Sequence, residues 1–376
     1  MVQIKEVRSQ QELKSFVKYP FALYRDSPYW VPPIIKEELD SFNPEINPVF
    51  EQAEARFFLA FKGNRIAGRV AAIINHVEIQ ELGLSKMRFG WMDFEDDSEV
   101  SKALLEKVEE IGRSHNLDFL EGPIGFSNLD KVGVLTEGFD HLGSMITWYN
   151  YPYYKTHFQN FGMTVEKEFI ESKFPFSNVQ PVHFERIEKI IRERYQLRPL
   201  NFEKTSQILP WAHEMFEVFN ASYSRLSSFV PVSESQKEYF KKKYLTLIDP
   251  RYVKFVVDKD NRLVSFAIVM PSFSKALQKA GGSLFPFGFY HLLKARKSSK
   301  EVFFYLIGVL PEYQKKGVTA IIFNEYYREF TSRGIQMAYR TPELADNVDV
   351  HQIWKHFKPE VYKRRCTFRK DLKEGL

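Results

Sequence analysis

Two stretches of the chain show the same succession of hydrophobic and polar positions. Each opens with two neighbouring segments that alternate or run apolar around a short turn, as the strands of a β-hairpin do. A strand, a helix, a strand, a helix and a closing strand are predicted to follow. In the first half these elements fall at residues 55–64, 66–78, 87–94, 97–114, 117–121, 151–160 and 163–174. In the second half they fall at 252–258, 262–270, 301–309, 318–333, 335–340, 347–357 and 361–369.

This order of strands and crossing helices predicts an α/β or α+β fold in each half, with a mixed central sheet flanked by helices. The repetition indicates a duplication, although the identity between the halves is too weak to prove one. An amphipathic segment at 182–195 predicts a connecting helix. We therefore predict an N-terminal domain at 1–178, a connecting helix at 179–195 and a C-terminal domain at 196–376.

Residues 271–300 interrupt the second half between two predicted strands and are too long for a hairpin loop. The segment combines aromatic and aliphatic side chains with lysine and arginine, above all in 284–300. Two interpretations stay open. The insertion is a lid packed on the core, or it is a wall for an acyl chain or a contact with a membrane surface.

Composition narrows the class of protein. The 376 residues include 53 Lys+Arg and 48 Asp+Glu, a net charge of +5, which does not indicate nucleic-acid binding. The single cysteine, Cys366, excludes a disulfide framework and a cysteine-based zinc site, and His351 and His356 are too poorly spaced on a helix to share a metal. The start lacks the apolar region of a signal peptide, and no apolar run is long enough to span a bilayer. We predict a cytoplasmic protein without a metal, and a peripheral position at the inner membrane stays open.

The most informative stretch is 309–319, VLPEYQKKGVT, which follows an apolar strand and opens a helix. Backbone N–H groups at such a helix N-terminus, together with the helix dipole, favour an anion. Gly317 lets the backbone approach a phosphate closely, and Lys315 and Lys316 add positive charge. A pyrophosphate is the expected ligand.

The same stretch resembles motif A of the GNAT acyltransferase superfamily, V-x-P-x-x-Q/R-x-x-G-x-G/A. The positions that match are Val309, Pro311, Gln314 and Gly317, while Thr319 replaces the last glycine or alanine. The resemblance implies two tandem GNAT-like folds and a donor that is acyl-CoA or acetyl-CoA. It also implies that the strand pairs with the pantetheine arm and that the loop amides hold the pyrophosphate.

Residues 343–347, ELADN, precede a helix and resemble motif B of the same fold, whose asparagine contacts the cofactor arm. The tyrosine that usually protonates the thiolate falls on Trp354, which cannot do so. In the first half, the acidic run 95–99 lacks the motif A glycine and would repel a pyrophosphate. The predicted cofactor-binding residues are Ile307, Val309, Gln314, Lys315, Lys316, Gly317, Val318, Thr319 and Asn347.

Further signatures narrow the resemblance to tandem GNAT-like bacterial proteins over nearly the whole chain. These signatures are Tyr29-Trp30-Val31-Pro32-Pro33, Gly68-Arg69, Glu121-Gly122-Pro123 and Tyr151–Tyr154. Bacterial ceramide synthase-type acyltransferases, which acylate a long-chain amine, are similar more distantly.

The resemblance implies an N-acyltransferase that moves an acyl group from acyl-CoA, or from an acyl carrier protein, to an amine. The abundance of phenylalanine and the basic, aromatic insertion favour a long-chain or lipid amine, and hence a place in lipid metabolism. We predict Glu343 as the base, with Asp346 second, and Tyr305 or Tyr339 as an acid or pocket wall. Two alternatives stay open: an aminoacyl-tRNA-dependent ligase, and a non-catalytic protein that binds acyl-CoA or serves as a scaffold.

Overall fold

The structure, a computed structural model, describes residues 1–127, 129–224, 226, 229–244 and 248–373. Its strands are β1 (Val2–Glu6), β2 (Ala53–Lys62), β3 (Arg65–Asn75), β4 (Lys86–Phe94), β5 (Phe119–Gly122), β6 (Val134–Glu137), β7 (Thr164–Pro175), β8 (Arg198–Asn201), β9 (Val253–Val257), β10 (Leu263–Pro271), β11 (Glu301–Val309), β12 (Met337–Arg340), β13 (Glu343–Leu344) and β14 (Glu360–Asp371). Its helices are α1 (Gln10–Leu23), α2 (Ile35–Ser41), α3 (His76–Gln80), α4 (Ser98–Ser114), α5 (Tyr154–Asn160), α6 (Pro181–Tyr195), α7 (Thr205–Ile208), α8 (Ala212–Tyr223), α9 (Glu234–Tyr244), α10 (Ser274–Ala280), α11 (Gly288–Ser298), α12 (Thr319–Arg333) and α13 (Val348–Trp354).

The repeated order predicted from the sequence is confirmed. The first half runs β2, β3, β4, α4, β5, α5 and β7, and the second runs β9, β10, β11, α12, β12, α13 and β14. The strand β11 has the predicted bounds, and α12 begins one residue later than predicted. The connecting helix is α6, and the insertion forms the two helices α10 and α11.

The two halves share one mixed sheet, in which each half borrows the closing strand of the other. The order is β1-β2-β3-β4-β5-β14-β7-β12-β11-β10-β9-β8. The final strand β14 therefore pairs with β5 of the first half, and β7 pairs with β12 of the second. The domain boundaries drawn from the sequence stay a prediction, because the exchange joins the halves through their central strands.

A buried ion pair lies where the exchanged strands meet. Glu171 on β7 accepts a hydrogen bond from the Arg365 guanidinium on β14, and both side chains are only 1% exposed. Tyr362 donates to the same carboxylate at 3.3 Å, and Arg365 also reaches the carbonyl oxygen of Trp148 at 2.6 Å. Charged groups are found this deeply buried when they are paired, and this pair links the two halves.

Helices cover the sheet in both halves. The fully buried side chains of Leu104, Leu105 and Val108 place α4 on the first half, and Ile321 and Ile322 place α12 on the second. The spacing of these residues is that of one helical face, as the sequence predicted. Within the described part of the chain, no helix combines the length and the apolar character needed to cross a bilayer.

Candidate active site

The side of β11 that faces β12 is open beyond the middle of the strand. The two parallel strands pair only as far as Phe304 and Arg340, so they separate towards their carboxyl ends. On the other side, the register with β10 shifts between Ile268 and Val269, which leaves Tyr305 as an extra residue on β11. Such a bulge bends a strand and re-aims its side chains. The carboxyl-terminal part of β11 is therefore not paired with β12 on this side.

Two carbonyl oxygens on this open side of β11 have hydrogen-bond donors. The Ile307 oxygen accepts from Tyr223 Oη at 3.1 Å, and the Val309 oxygen accepts from Ser222 Oγ at 2.9 Å and Gln314 Nε2 at 3.1 Å. A carbonyl oxygen has two lone pairs, so Ile307, with one donor among the described residues, keeps a second acceptor position. Sequence reasoning missed Ser222 and Tyr223, because a hydroxyl at the end of an amphipathic helix carries no motif.

The loop after β11 leads to a helix N-terminus without a side-chain cap. Lys315 and Gly317 have φ values of 60° and 78°, in the region that favours glycine. The cap residue Val318 makes no side-chain hydrogen bond to α12. In the first turn, the N–H groups of Ala320 and Ile321 donate to the carbonyl oxygens of Gly317 and Val318, at 3.0 and 3.1 Å. The N–H groups that precede them, together with the helix dipole, favour an anion. Thr319, the departure from the GNAT pattern, is the first helical residue, where no glycine is needed.

The two lysines of the loop have different surroundings. Lys315 Nζ lies 3.1 Å from Asp349 Oδ2, and both side chains are at least 70% exposed. Lys316 Nζ lies over the rings of Tyr195 and Tyr313, at 5.3 and 5.5 Å from their centroids. The charge of Lys315 is therefore balanced by Asp349, whereas Lys316 lies over two aromatic rings and keeps its positive charge in the loop before α12.

The corresponding helix of the first half is capped by its own carboxylate. Asp97 precedes α4 and accepts from the N–H of Glu99 at 2.9 Å. The hydrogen bond from Lys62 lowers the pKa of Asp97, so the cap is anionic. The gap beside β4 is also filled, because Ile124 donates to the carbonyl oxygen of Phe89 at 2.8 Å. The N-terminus of α4 is thus capped by a carboxylate, whereas the equivalent N-terminus of α12 has no side-chain cap.

Glu343, the predicted base, is engaged by an arginine. Its carboxylate accepts from both Arg340 Nη2 and Nε, the latter at 3.2 Å, and lies 3.7 Å from His351 Nδ1. Arg340 is itself buried and donates to Ser172 Oγ at 3.0 Å. Glu343 therefore balances a buried cation, and it would have to leave that partner to take a proton.

The other residues near motif B lie at the start and end of α13. Asn347 caps this helix, its Oδ1 accepting from the N–H of Val350 at 3.2 Å, and Asp346 before it is exposed. Trp354 is 1% exposed and packs against Phe304, with ring centroids 4.8 Å apart. The position aligned with the family's acid is therefore a core position in this chain.

Sequence reasoning missed a carboxylate that the first half brings to the bulge of β11. Asp130 Oδ2 accepts from the N–H of Ser127 at 2.9 Å and from its Oγ at 3.2 Å. The Tyr305 hydroxyl points at the same loop and lies 3.5 Å from the carbonyl oxygen of Leu129. Asp130 stands 175 positions before Tyr305 in a loop without periodicity, so only the signature Glu121-Gly122-Pro123 marked the region.

Burial favours the neutral forms of both Asp130 and Tyr305. Burial raises the pKa of Asp130, although Ser127, Lys243 and Arg88 act in the opposite direction. Burial also raises the pKa of Tyr305, and the charge of Asp130 adds to the increase. The phenol therefore stays protonated, and the carboxylate has a stronger tendency to bind a proton than an ordinary aspartate.

One surface group contains metal-ligand side chains. His213, Glu217 and Glu234 lie close enough together to hold an ion, and all three are exposed. Lys237 already donates to Glu217 and, at 2.6 Å, to Glu234. The ammonium supplies the positive charge that this group needs.

No family model matches the chain. Two bacterial proteins are similar to it over almost their full lengths. Protein YghO of Escherichia coli strain K12 is 26% identical over 381 residues, which cover 97% of this chain and 94% of that protein. Bacterial ceramide synthase of Caulobacter vibrioides is 27% identical over 374 residues, which cover 97% of this chain and 96% of that protein.

Solved structures show the fold. A tandem GNAT protein from the clavulanic acid biosynthesis pathway covers 100% of both chains, with a TM-score of 0.58 and 10% identity. A GCN5-related N-acetyltransferase from Sphaerobacter thermophilus covers 100% of this chain and 97% of its own, with a TM-score of 0.53 and 9% identity. The tandem GNAT fold predicted from the sequence is confirmed.

Proposed function

We propose that this protein is an N-acyltransferase that moves an acyl group from a thioester donor to an amine. The observation that carries the proposal is the continuous path from the open side of β11 to the uncapped end of α12. This path offers backbone groups to an extended arm and a positive helix end to a pyrophosphate. Acyl-CoA or acetyl-CoA combines these two features, whereas an acyl carrier protein would present the arm with a single phosphate in place of the pyrophosphate.

In this proposal the pantetheine arm lies along Ile307 and Val309, and one of its amides donates to the second acceptor position of Ile307. Gln314 orients the Val309 carbonyl, and Asn347 contacts the arm from α13. The pyrophosphate is held by residues of the loop and first helical turn, namely Lys315, Lys316, Gly317, Val318 and Thr319.

The chemistry requires a base, an oxyanion donor and a proton for sulfur. The amine loses a proton to the base, its nitrogen attacks the thioester carbon, and the C–N bond forms as the C–S bond breaks. Asp130 is our first candidate for the base, because its raised pKa suits proton transfer better than that of an ordinary aspartate. The departing thiolate takes up the proton that the base received, because a thiol, with a pKa of about 8.5, holds it more tightly than a carboxylate does. The protonated Tyr305 hydroxyl donates a hydrogen bond to the sulfur, and a backbone N–H near Val309 stabilises the oxyanion. Glu343 and Asp346 are the alternative bases.

A long-chain or lipid amine is the proposed acceptor. The similar protein from Caulobacter vibrioides is named a ceramide synthase. The insertion α10–α11 also packs against the segment that leads into α2, where Ile35 donates to the Gly282 carbonyl oxygen at 2.9 Å. The aromatic, basic insertion thus contacts residues of the first half.

Thermal unfolding with CoA, acetyl-CoA and a medium-chain acyl-CoA tests the donor site. A ligand at 100 times its Kd adds about 2.7 kcal/mol, which raises Tm by about 3–4 °C for a chain of this length. The double variant Lys315→Glu/Lys316→Glu reverses two charges beside the proposed pyrophosphate, and we expect roughly tenfold or greater loss of affinity. Lys102→Glu is the control for a charge reversal, because this lysine is 67% exposed on α4 in the other half of the chain.

A wild-type shift that survives the double variant unchanged would place the donor elsewhere. If no CoA compound binds or shifts Tm, but the protein transfers acyl groups from an acyl carrier protein, the donor would be the carrier protein and the proposed reaction would stand. Absence of free thiol and of acylated amine with every donor would overturn the enzyme proposal.

The base is tested with Asp130→Asn against Glu343→Gln. The asparagine keeps an oxygen for Ser127 but cannot take the proton, so we expect kcat to fall about 10²–10⁴-fold with no loss of stability. Glu343→Gln removes the charge that balances Arg340, so we expect a lower Tm and a smaller effect on kcat. The opposite pattern would assign the base to Glu343.

The alternative is a protein that binds acyl-CoA without turnover. Trp354 at the position of the family's acid favours it, because indole cannot protonate a thiolate. Thiol release separates the two possibilities, since a binding protein shows the thermal shift without the release.

A further inference from the structure

The outer side of the α10–α11 insertion carries a dense group of exposed apolar side chains. Among the described residues, these side chains lie within nine consecutive positions and are 81%, 70%, 54%, 62% and 39% exposed. We call them the aromatic face: Phe285, Phe287, Phe289, Tyr290 and Leu293. Exposed apolar groups scattered singly are normal, but a contiguous group marks an interaction surface.

The inner side of the same insertion is firmly packed. Leu284 and Leu292 pack against a small core that includes Ile34 and Phe273. Gln278 Nε2 also donates to the carbonyl oxygens of Pro28 and Trp30, at 2.9 and 3.0 Å. The insertion has therefore already buried one side in the protein, and the aromatic face is presented outward on a fixed support.

Positive charge accompanies the aromatic face. Lys294 and Lys297 are exposed on α11, and neither forms an ion pair with a carboxylate in the described part of the chain. Beside them lies a cleft of about 340 Å³ that also contains Leu293. Its charged lining residues are Glu203, Lys204, Asp249, Arg251, Arg296 and Lys297.

The cleft favours an anion. Asp249 is already paired with Arg251 at 3.0 Å and with Arg333 at 3.1 Å, so its charge is balanced within the protein. The other charged residues that line the cleft are cationic, apart from Glu203. A cationic cleft bordered by protruding apolar side chains matches a phospholipid, whose phosphate and acyl chains are adjacent.

We propose that the aromatic face and the adjoining cleft dock the protein on the surface of an anionic phospholipid bilayer. The aromatic rings enter the interfacial region, Lys294 and Lys297 contact lipid phosphates, and the cleft accommodates one headgroup. Unpaired lysines are depleted from protein–protein interfaces but common on membrane-binding surfaces, which favours lipid over a protein partner. This inference goes beyond the proposed acyl transfer and does not depend on it.

Vesicle flotation with the full chain tests the proposal. Vesicles of phosphatidylethanolamine and phosphatidylglycerol, 3:1, are compared with vesicles of phosphatidylcholine at low and high salt. Phe287→Ser/Phe289→Ser should weaken partitioning to the anionic vesicles by roughly tenfold or more. Lys294→Glu/Lys297→Glu should weaken it by at least roughly 30-fold, since each basic residue near the surface contributes.

The matched control is Val182→Ser/Ile190→Ser on α6, which removes two apolar side chains that are 70% and 52% exposed elsewhere on the surface. All six substituted side chains are exposed, so we expect unchanged circular dichroism and Tm. Anionic binding lost in the two α11 variants and kept in the control supports the proposal.

Three results would overturn it. Wild-type protein that binds neither vesicle, or both equally, has no anionic-lipid surface. Equal losses in the α6 control would mean that the aromatic face is not the contact. Light scattering that shows a dimer broken by Phe287→Ser/Phe289→Ser, with no flotation, would assign the face to a second copy of the chain.

Discussion

A buried group of charges in the first half offers a quantitative test of the structure. Lys86 Nζ lies 2.8 Å from Glu78 Oε1 and 2.7 Å from Glu121 Oε2, and all three side chains are at most 2% exposed. Arg88 binds Glu78 through two nitrogens at 2.6 Å and donates to the carbonyl oxygen of Gly125 at 2.8 Å. The group thereby holds the start of the segment that carries Asp130. The substitution Lys86→Met keeps the length of the side chain and removes its charge.

The loss of stability depends on the cationic partners that each carboxylate keeps after the substitution. Breaking a buried ion pair by removing one partner destabilises a protein by about 3–5 kcal/mol. Glu78 keeps Arg88 at 2.6 Å and Glu121 keeps Lys167 at 3.0 Å, so we expect about 2–4 kcal/mol at neutral pH. With about 2.1 cal/mol/K of unfolding entropy per residue, Tm falls by about 3–5 °C if the chain unfolds as one unit.

The effect should depend on pH in a fixed direction. Burial alone would raise the pKa of Glu78 and of Glu121, but Arg88, Lys86 and Lys167 outweigh it and hold both pKa values below the ordinary 4.5. A carboxylate with a lowered pKa stabilises the folded state above its unfolded pKa, and this stability is lost as the pH falls through the folded pKa. Lys86→Met removes part of that stability. The difference between wild type and variant should therefore be full above about pH 5 and shrink towards pH 3.

The assay is urea unfolding of both proteins from pH 3 to pH 8, followed by far-UV circular dichroism. Lys102→Met is the control, because this exposed lysine makes only a 3.7 Å pair with Glu106 and should change stability by less than about 0.5 kcal/mol. A loss below about 1 kcal/mol at pH 7, or a loss that does not shrink in acid, would refute the reasoning.

Two further substitutions test the junctions between the halves. Arg365→Met leaves Glu171 buried without its guanidinium and should lower the free energy of unfolding by about 3 kcal/mol in a single urea transition. The control Arg364→Met, at the more exposed neighbouring position, should change the free energy of unfolding little. Two separate transitions would contradict the exchange of closing strands. Tyr223→Phe removes the 3.1 Å hydrogen bond to the Ile307 carbonyl and should lower stability by about 1 kcal/mol. Isothermal titration should show no loss of CoA affinity, because the second acceptor position of Ile307 is not affected.

The sequence predicted the elements well because each is encoded locally. The apolar run of β11 and the one-sided pattern of α12 are set by neighbouring residues, and both were located to within a residue. The exchange of β7 and β14 was not predictable in this way. Alternating apolar residues show that a segment is a strand with a buried face, but they do not show which strand lies beside it.

The same limit explains which residues of the candidate site could be predicted from the sequence. The residues from Val309 to Thr319 are contiguous, so their motif could be recognised and the structure brings them to one helix end. Asp130 and Tyr223 reach β11 only through tertiary packing, from a loop and a helix far away in the chain. Glu343 stays a predicted base, and its ion-pair partner Arg340 could not be known from a charge pattern.

The two halves share an order of elements but differ at two equivalent places. In the first half Asp97 caps α4 and Ile124 occupies the gap beside β4, so the places that remain open in the second half are filled by the protein itself. The loop that continues from Ile124 brings the Leu129 carbonyl oxygen to 3.5 Å from the Tyr305 hydroxyl on β11, and the charge of the next residue, Asp130, acts on that hydroxyl. In the proposed function, the first half therefore has no donor site of its own and contributes a structural part next to the gap of the other half. Since β7 and β14 are also exchanged, neither half can hold this arrangement alone, and the site belongs to the pair.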